Sequence, residues 1–158
     1  MAQEIERKFL VVGDAWREQA AGTAYRQGYL STVKERTVRV RTAAGKGYLT
    51  VKGIAVGPRR PEFEYEIPIS DADAMLDHLC QRPLIEKTRY QIRVGQLMWQ
   101  VDEFAGENEG LVVAEVELGD EAQEFVRPDW AGEEVTNDRR YANANLVAHP
   151  YRSWSSKR

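Results

Sequence analysis

Residues 62–69, EFEYEIPI, alternate carboxylate and apolar side chains without a break: Glu62, Glu64 and Glu66 against Phe63, Tyr65 and Ile67. Strict period-two alternation predicts a strand, here one with a wholly charged face. The same rhythm recurs along the chain. In 3–12 (QEIERKFLVV), Glu4, Glu6 and Lys8 oppose Ile5, Phe9 and Val11. In 36–42 (RTVRVRT), Arg39 and Arg41 oppose Val38 and Val40, and in 48–54 (YLTVKGI), Thr50 and Lys52 oppose Leu49 and Val51. Residues 84–94 place Lys87, Arg89 and Gln91 on one face, residues 97–104 set Gln100 and Asp102 against Trp99 and Val101, and residues 111–118 set Glu115 and Glu117 against Ala114, Val116 and Leu118. Residues 23–33 (TAYRQGYLSTV) are rich in β-branched and aromatic types and put Gln27, Tyr29 and Ser31 on one face. About eight strands, several joined by tight turns such as Gly45-Lys46-Gly47 and Gly95-Gln96, predict a mainly β (α+β) fold: an eight-stranded antiparallel β-barrel or strongly curved sheet.

Three helical patterns interrupt the strands. Ser70 is placed as an N-cap with Asp73 three residues on, before an apolar stripe of Met75, Leu76, Leu79 and Cys80. Asp120 is expected to cap a short helix to Val126 with Ala122 and Phe125 inward, and a last helix is expected over 138–148 with Tyr141 and Val147 inward and Pro150 beyond. Asp14 to Ala21 reads as a short helix or loop closed by Gly22, with Trp16 packed on the domain. Helices packed outside take the apolar strand faces, so the charged faces are left to line the interior. A length of 158 residues fits one domain, expected over 1–150 with a polar tail at 151–158.

Bulk charge narrows the partners. A net charge of -3 offers no general attraction to nucleic acid or to an anionic membrane, so neither is expected, and any positive site is local. Cys80 is the one cysteine, which excludes an internal disulfide and a cysteine zinc site, and no apolar run reaches membrane-spanning length. A cytoplasmic location is expected. Cys80 and His78 read as packing and surface residues, and Gly45-Lys46-Gly47 is no P-loop, because the upstream glycine and the following Ser/Thr are missing.

The charged faces together carry the chemistry. Lys8, Arg39, Arg41, Lys52, Lys87 and Arg89 form a basic set, and Glu4, Glu6, Glu64, Glu66, Asp102, Glu115 and Glu117 an acidic one. Charges this dense cost several kcal/mol each if dry and unpaired, on the order of the penalty for a buried ion. The lumen is therefore predicted to be wet and filled by ions or ligand. Arg forks and Lys point charges suit a polyanion, while clustered carboxylates suit Mg²⁺ or Mn²⁺ that bridges phosphate oxygens. The bland reading of any one such strand is a solvated face with a Glu/Lys pair worth under about 1 kcal/mol.

The sequence also resembles the CYTH superfamily of triphosphate tunnel metalloenzymes. Its N-terminal ExExK is met by Glu4, Glu6 and Lys8. RQGYL (26–30), VRVR (38–41), TVKG (50–53), EYEI (64–67), EKTRY (86–90), AEVE (114–117) and EEVTNDRRYAN (133–143) follow in the family's order over nearly the whole chain. The resemblance implies an eight-stranded tunnel that binds triphosphate through Lys8, Arg39, Arg41, Lys52, Lys87 and Arg89, with a divalent metal held by Glu4, Glu6, Glu115, Glu117 and Asp102. Tyr29 is by resemblance a catalytic proton acceptor, or else a hydrogen-bond partner of phosphate, and Lys87 a catalytic residue. One departure is Glu62, where the family often has Arg; either Arg60, two residues back on the same face, is the substitute ligand, or the loop carries a one-step register change. Short length and RQGYL look most like bacterial inorganic triphosphatases, which hydrolyse tripolyphosphate to pyrophosphate and phosphate. Adenylate cyclisation of class IV type and thiamine triphosphate hydrolysis use the same tunnel, and a non-catalytic polyphosphate-binding module is the alternative of a different class. A small-molecule triphosphate or polyphosphate is the expected partner, and the protein is expected as a monomer or homodimer.

Overall fold

A computed structural model describes residues 3–154. Nine strands form one sheet: β1 (Gln3–Val11), β2 (Gly22–Ser31), β3 (Thr37–Ala43), β4 (Lys46–Lys52), β5 (Arg59–Ile67), β6 (Ile85–Val94), β7 (Leu97–Phe104), β8 (Val112–Glu117) and β9 (Ala131–Glu134). Their order is β5-β4-β3-β2-β6-β7-β8-β1-β9, and β1 also pairs with β5 through Gln3↔Pro61, Glu4↔Arg60 and Ile5↔Arg59, which closes an eight-stranded antiparallel barrel. Closure removes sheet edges and fixes one inside and one outside for every alternating strand.

Two apolar clusters lie outside the barrel. Phe9, Trp16, Trp99, Val101, Val116 and Trp130 form one, over β1, β7 and β8. Val40, Ala72, Leu76 and Cys80 form the other, where α1 (Ile69–His78) lies on the sheet. A third cluster belongs to the inside. Ile85, Phe104 and Val113 continue the inward faces of β6, β7 and β8, and they pack with Tyr141, Leu146 and Val147 of the C-terminal segment. One end of the lumen is thus filled and dry. The charged lumen expected from the alternating faces is therefore confined to the other part.

The eight expected strands are all present, but several local readings are corrected. Alpha-helix content is smaller than predicted. Pro68 occupies the N-cap of α1 and makes no side-chain cap bond, so Ser70 falls inside the helix, and Leu79 is exposed rather than part of the buried stripe. Residues 120–126 form no helix. Asp120 instead accepts from the Ala122 N–H through Oδ1 and from the Gln123 N–H through its carbonyl, which closes a turn, while Phe125 still packs on Phe9 and Trp99. The region 138–148 divides into a 3₁₀ turn, Arg139–Tyr141, and the short helix α2 (Asn145–Ala148), with Tyr141 and Val147 buried as expected. Strand β9 was not foreseen. Phe63 and Tyr65 do oppose the glutamates of β5, yet they are exposed, because α1 covers only Ile67 of that face. The expected polar tail begins docked: the Tyr151 N–H donates to Asn108 Oδ1, and the Tyr151 and Trp154 rings meet at 5.0 Å. The remainder of that tail, 155–158, lies outside the described residues.

Candidate active site

The inward faces of the eight barrel strands meet in a cavity of about 350 Å³. β1 contributes Glu4, Glu6 and Lys8; β2, Tyr25 and Tyr29; β3, Arg39 and Arg41; β4, Lys52; β5, Arg60, Glu62 and Glu64; β6, Lys87 and Arg89; β8, Glu115 and Glu117. Gln100 of β7 and residues 142–144 complete the wall. Of the predicted basic and acidic sets, together with Arg60 and Tyr29, all but Asp102 and Glu66 line this one space. The seven cations are nearly balanced by six carboxylates, which decides what the cavity can accept: a polyanion needs added positive charge to be neutralised here.

Pairing inside the cavity is uneven. Lys52 Nζ stands 3.2 Å from both Glu4 oxygens and 3.7 Å from Glu62; Arg39 and Arg41 each reach Glu64 at 3.4 Å; Lys8 lies 3.4 Å from Glu115. These contacts are long for charge-assisted bonds, which run about 2.7–2.9 Å. Asp102 differs. It accepts from Arg89 Nε at 2.7 Å and Nη2 at 2.8 Å, and from Lys87 Nζ at 2.8 Å. Asp102 was expected among the metal ligands, but its oxygens are committed to two cations and it does not line the cavity; it anchors Lys87 and Arg89 from behind. Burial opposes its charge, yet Lys87 and Arg89 pull its carboxyl well below the usual range.

Of the six carboxylates that line the cavity, Glu6 and Glu117 have no cation within ion-pair distance among the described residues. They are direct cross-strand partners of β1 and β8, a position where like charges repel. Burial, then Glu115 and Glu4, push the Glu6 carboxyl well above its ordinary value, and burial and Glu4 raise Glu117. Burial also weighs on Glu115, but Lys8 and Arg89 hold it below the ordinary value. Four carboxylates concentrated at β1 and β8 form a hard-oxygen donor set that fits a divalent cation such as Mg²⁺ or Mn²⁺. Among the described residues no three acidic, His or Cys side chains come together so as to hold a metal ion on their own. Mg²⁺ is commonly bound by one or two carboxylates plus substrate phosphates and water, so an open set suits it.

Lys87 is fully enclosed, and burial outweighs Asp102 to bring its ammonium down to about 8. Arg41 is also lowered, by burial and then by Arg39 beside it. Its guanidinium lies 5.2 Å from the Tyr25 ring and 5.1 Å from the Tyr48 ring, and that of Arg89 lies 4.8 Å from the Tyr25 ring. Tyr25 thus contacts two arginines, each an attraction of ring to cation worth about 0.5–2 kcal/mol. Arg60 donates to the Gly53 carbonyl at 2.9 Å and to Thr37 Oγ1, and lines the cavity as expected of a substitute ligand. A second cavity of about 440 Å³ adjoins the first through Glu4, Glu6, Lys8, Thr37 and Arg60, and is flanked by Lys34 and Arg139.

Sequence reasoning missed Tyr25, Thr50, Glu62 as a lining residue, and Asn143. Alternation with Tyr29 marks Tyr25, and alternation with Glu64 marks Glu62, which pairs with Lys52. Thr50 was read only as sharing a face with Lys52, but it donates to Glu64 at 2.7 Å. No periodic signal marks Asn143, which lies in irregular backbone. Glu66 was expected inside and is exposed beyond the rim, opposite Tyr48. Ser31 was expected beside Tyr29, but the β2–β3 register shifts between Tyr29 and Ser31, and Ser31 instead donates to the Arg36 carbonyl.

A family model described as the CYTH domain matches residues 2–151. Two curated relatives are named inorganic triphosphatase. One, from Acetivibrio thermocellus, is 54% identical over 154 residues, covering 98% of this chain and 99% of its own. The other, from Nitrosomonas europaea, is 40% identical over 149 residues, covering 91% and 96%. A solved structure of an inorganic triphosphatase superposes with a TM-score of 0.64 at 33% identity, over 93% of this chain and 95% of that one.

Proposed function

We propose that this chain, which belongs to the CYTH domain family, is a metal-dependent inorganic triphosphatase that hydrolyses tripolyphosphate to pyrophosphate and phosphate. The observation that carries this reading is the convergence of Lys8, Arg39, Arg41, Lys52, Arg60, Lys87 and Arg89 with six carboxylates on one cavity. The names of the two relatives support the choice of substrate.

The roles follow from placement. Arg39 and Arg41 on β3, Lys52 on β4, and Lys87 and Arg89 on β6 surround the cavity, so a linear anion with charge along its length meets cations on every side. Their loose contacts with Glu4, Glu62 and Glu64 exchange for phosphoryl oxygens at little cost. Asp102 keeps Lys87 and Arg89 in place meanwhile. Glu4, Glu6, Glu115 and Glu117 would hold the divalent cation, which would offset charge on phosphoryl oxygens and supply the positive charge the balanced wall lacks. Water attacks a terminal phosphorus, the P–O bond to the neighbouring phosphate breaks, and pyrophosphate leaves. Tyr29, buried in the wall beside Arg39 on the adjacent strand, is positioned to take the proton from water or to hold a phosphoryl oxygen.

Assay of phosphate release from tripolyphosphate, thiamine triphosphate and ATP, with cyclic AMP monitored in parallel, tests the assignment. Tripolyphosphate is expected to be cleaved fastest and no cyclic AMP to form. Cyclic AMP production would move the protein to the cyclases, and binding without turnover would make it a polyphosphate-binding module.

A further inference from the structure

The C-terminal segment does more than fill the dry end of the barrel. Between the buried Tyr141 and Leu146, it presents Asn143 to the cavity. Asn143 Oδ1 accepts from Lys87 Nζ at 3.1 Å and from Gln27 Nε2 at 3.0 Å. An ammonium has donors only, so the atom facing Lys87 must be the amide oxygen. Gln27 is fully buried, and its own oxygen has no hydrogen-bond partner; flipping it would set two oxygens against each other. The orientation of Asn143 is therefore fixed, and its Nδ2 is the polar atom left over. Among the described residues Nδ2 has no hydrogen-bond partner, and it is not among the buried atoms that lack one. Nδ2 is therefore an accessible donor on a residue that lines the cavity.

We propose that Asn143 is a substrate-binding residue, whose Oδ1 is anchored on Lys87 and Gln27 so that Nδ2 donates to a phosphoryl oxygen of the bound triphosphate. The assignment rests on the triphosphatase reading above. It adds an uncharged amide donor beside Lys87, and it gives the C-terminal segment a part in recognition. A neutral donor holds a phosphoryl oxygen at every pH, including the range above about 8 where Lys87 loses its proton.

Three proteins distinguish this role from a purely structural one: wild type, Asn143→Ala and Asn143→Asp. Asp keeps an acceptor for Lys87 and Gln27 but replaces the donor by a carboxylate oxygen that repels phosphate. If Nδ2 binds substrate, the KM for tripolyphosphate rises about tenfold or more in Asn143→Ala, as expected for a lost hydrogen bond to a charged group. It rises further in Asn143→Asp, while both variants keep a cooperative melt. If Asn143 only anchors Lys87, Asp is the conservative replacement and performs better than Ala, which overturns the proposal. Unchanged KM in a folded Asn143→Ala overturns it as well. Absence of turnover and of any tripolyphosphate-induced rise in melting temperature in the wild type is a separate outcome: it removes the triphosphatase reading, and this assignment with it.

Discussion

Asp102 and Glu6 both stand on inward faces of the barrel, but Asp102 is gripped by Arg89 at 2.7 Å and Lys87 at 2.8 Å, whereas for Glu6 burial and the neighbouring Glu115 and Glu4 outweigh the more distant Lys52 and Lys8. Substitution separates the two. Asp102→Asn leaves two cations enclosed without their counter-charge, which costs about 3–5 kcal/mol for a broken buried pair; a fall in the urea midpoint checks it. Glu6→Gln removes a charge the fold resists, so at pH 7 the variant melts no lower than wild type and yet loses tripolyphosphate turnover. The sign agrees with the raised Glu6 carboxyl: the folded state binds more protons than the unfolded one above pH 4.5, so Glu6 costs stability as pH rises, and Gln abolishes that cost. Lys87 acts in the opposite sense. Its ammonium, at about 8 instead of 10.5, binds fewer protons folded than unfolded in that window. Its contribution to stability therefore rises with pH between those values, while the charge available to phosphate is lost. The KM for tripolyphosphate is expected to climb above about pH 8, and Lys87→Arg to flatten that climb; a KM in wild type that stays level to pH 9.5 would contradict the role given to Lys87.

Strand β4 shows how a helix is admitted to the barrel wall. A Cβ on Gly47 would stand 2.7 Å from Ala72 Cβ of α1, so Gly47 is what lets the helix lie close to the sheet, with its Ala72 and Leu76 packed with Val40. Gly47→Ala is expected to lower stability by about 1–3 kcal/mol, the range for overpacking, measured by the urea midpoint; no loss would mean that α1 is loosely docked. The strands themselves were legible because Glu62-Phe63-Glu64-Tyr65 and Val38-Arg39-Val40-Arg41 keep period two to within the limits of the elements. Illegible were places where one cue served another purpose. Asp120 looks like a helix cap, but its side chain closes a turn at Ala122. Ser70 looks like a cap, but Pro68 already starts the helix. The register shift after Tyr29 turns Ser31 away, and local alternation carries no sign of it. Asp102 alternates as a lumen residue should, and only the cross-strand pairing with Arg89 reveals that it is spent on an anchor. Asn143 depends on the fold of irregular backbone around Tyr141 and Leu146, for which no periodicity exists.

Taken whole, the barrel divides its interior between a dry end, where Ile85, Phe104 and Val113 meet the C-terminal segment, and a charged end held nearly neutral. That balance lets the ligand-free protein fold with a dense set of charges inside, and it couples anion binding to cation binding. Tripolyphosphate with a divalent cation is accordingly expected to raise the melting temperature together more than either alone, with about 2.7 kcal/mol gained at a hundredfold excess over Kd. Equal shifts for each ligand alone would break the coupling. The claim that the charged cavity is a metal-dependent triphosphate-hydrolysing site is tested most directly by phosphate release from tripolyphosphate by the folded, purified protein, with Mg²⁺ or Mn²⁺ and again in excess chelator. The account predicts stoichiometric phosphate and pyrophosphate with the cation and none in chelator; no release with either cation, or undiminished release in chelator, would contradict it.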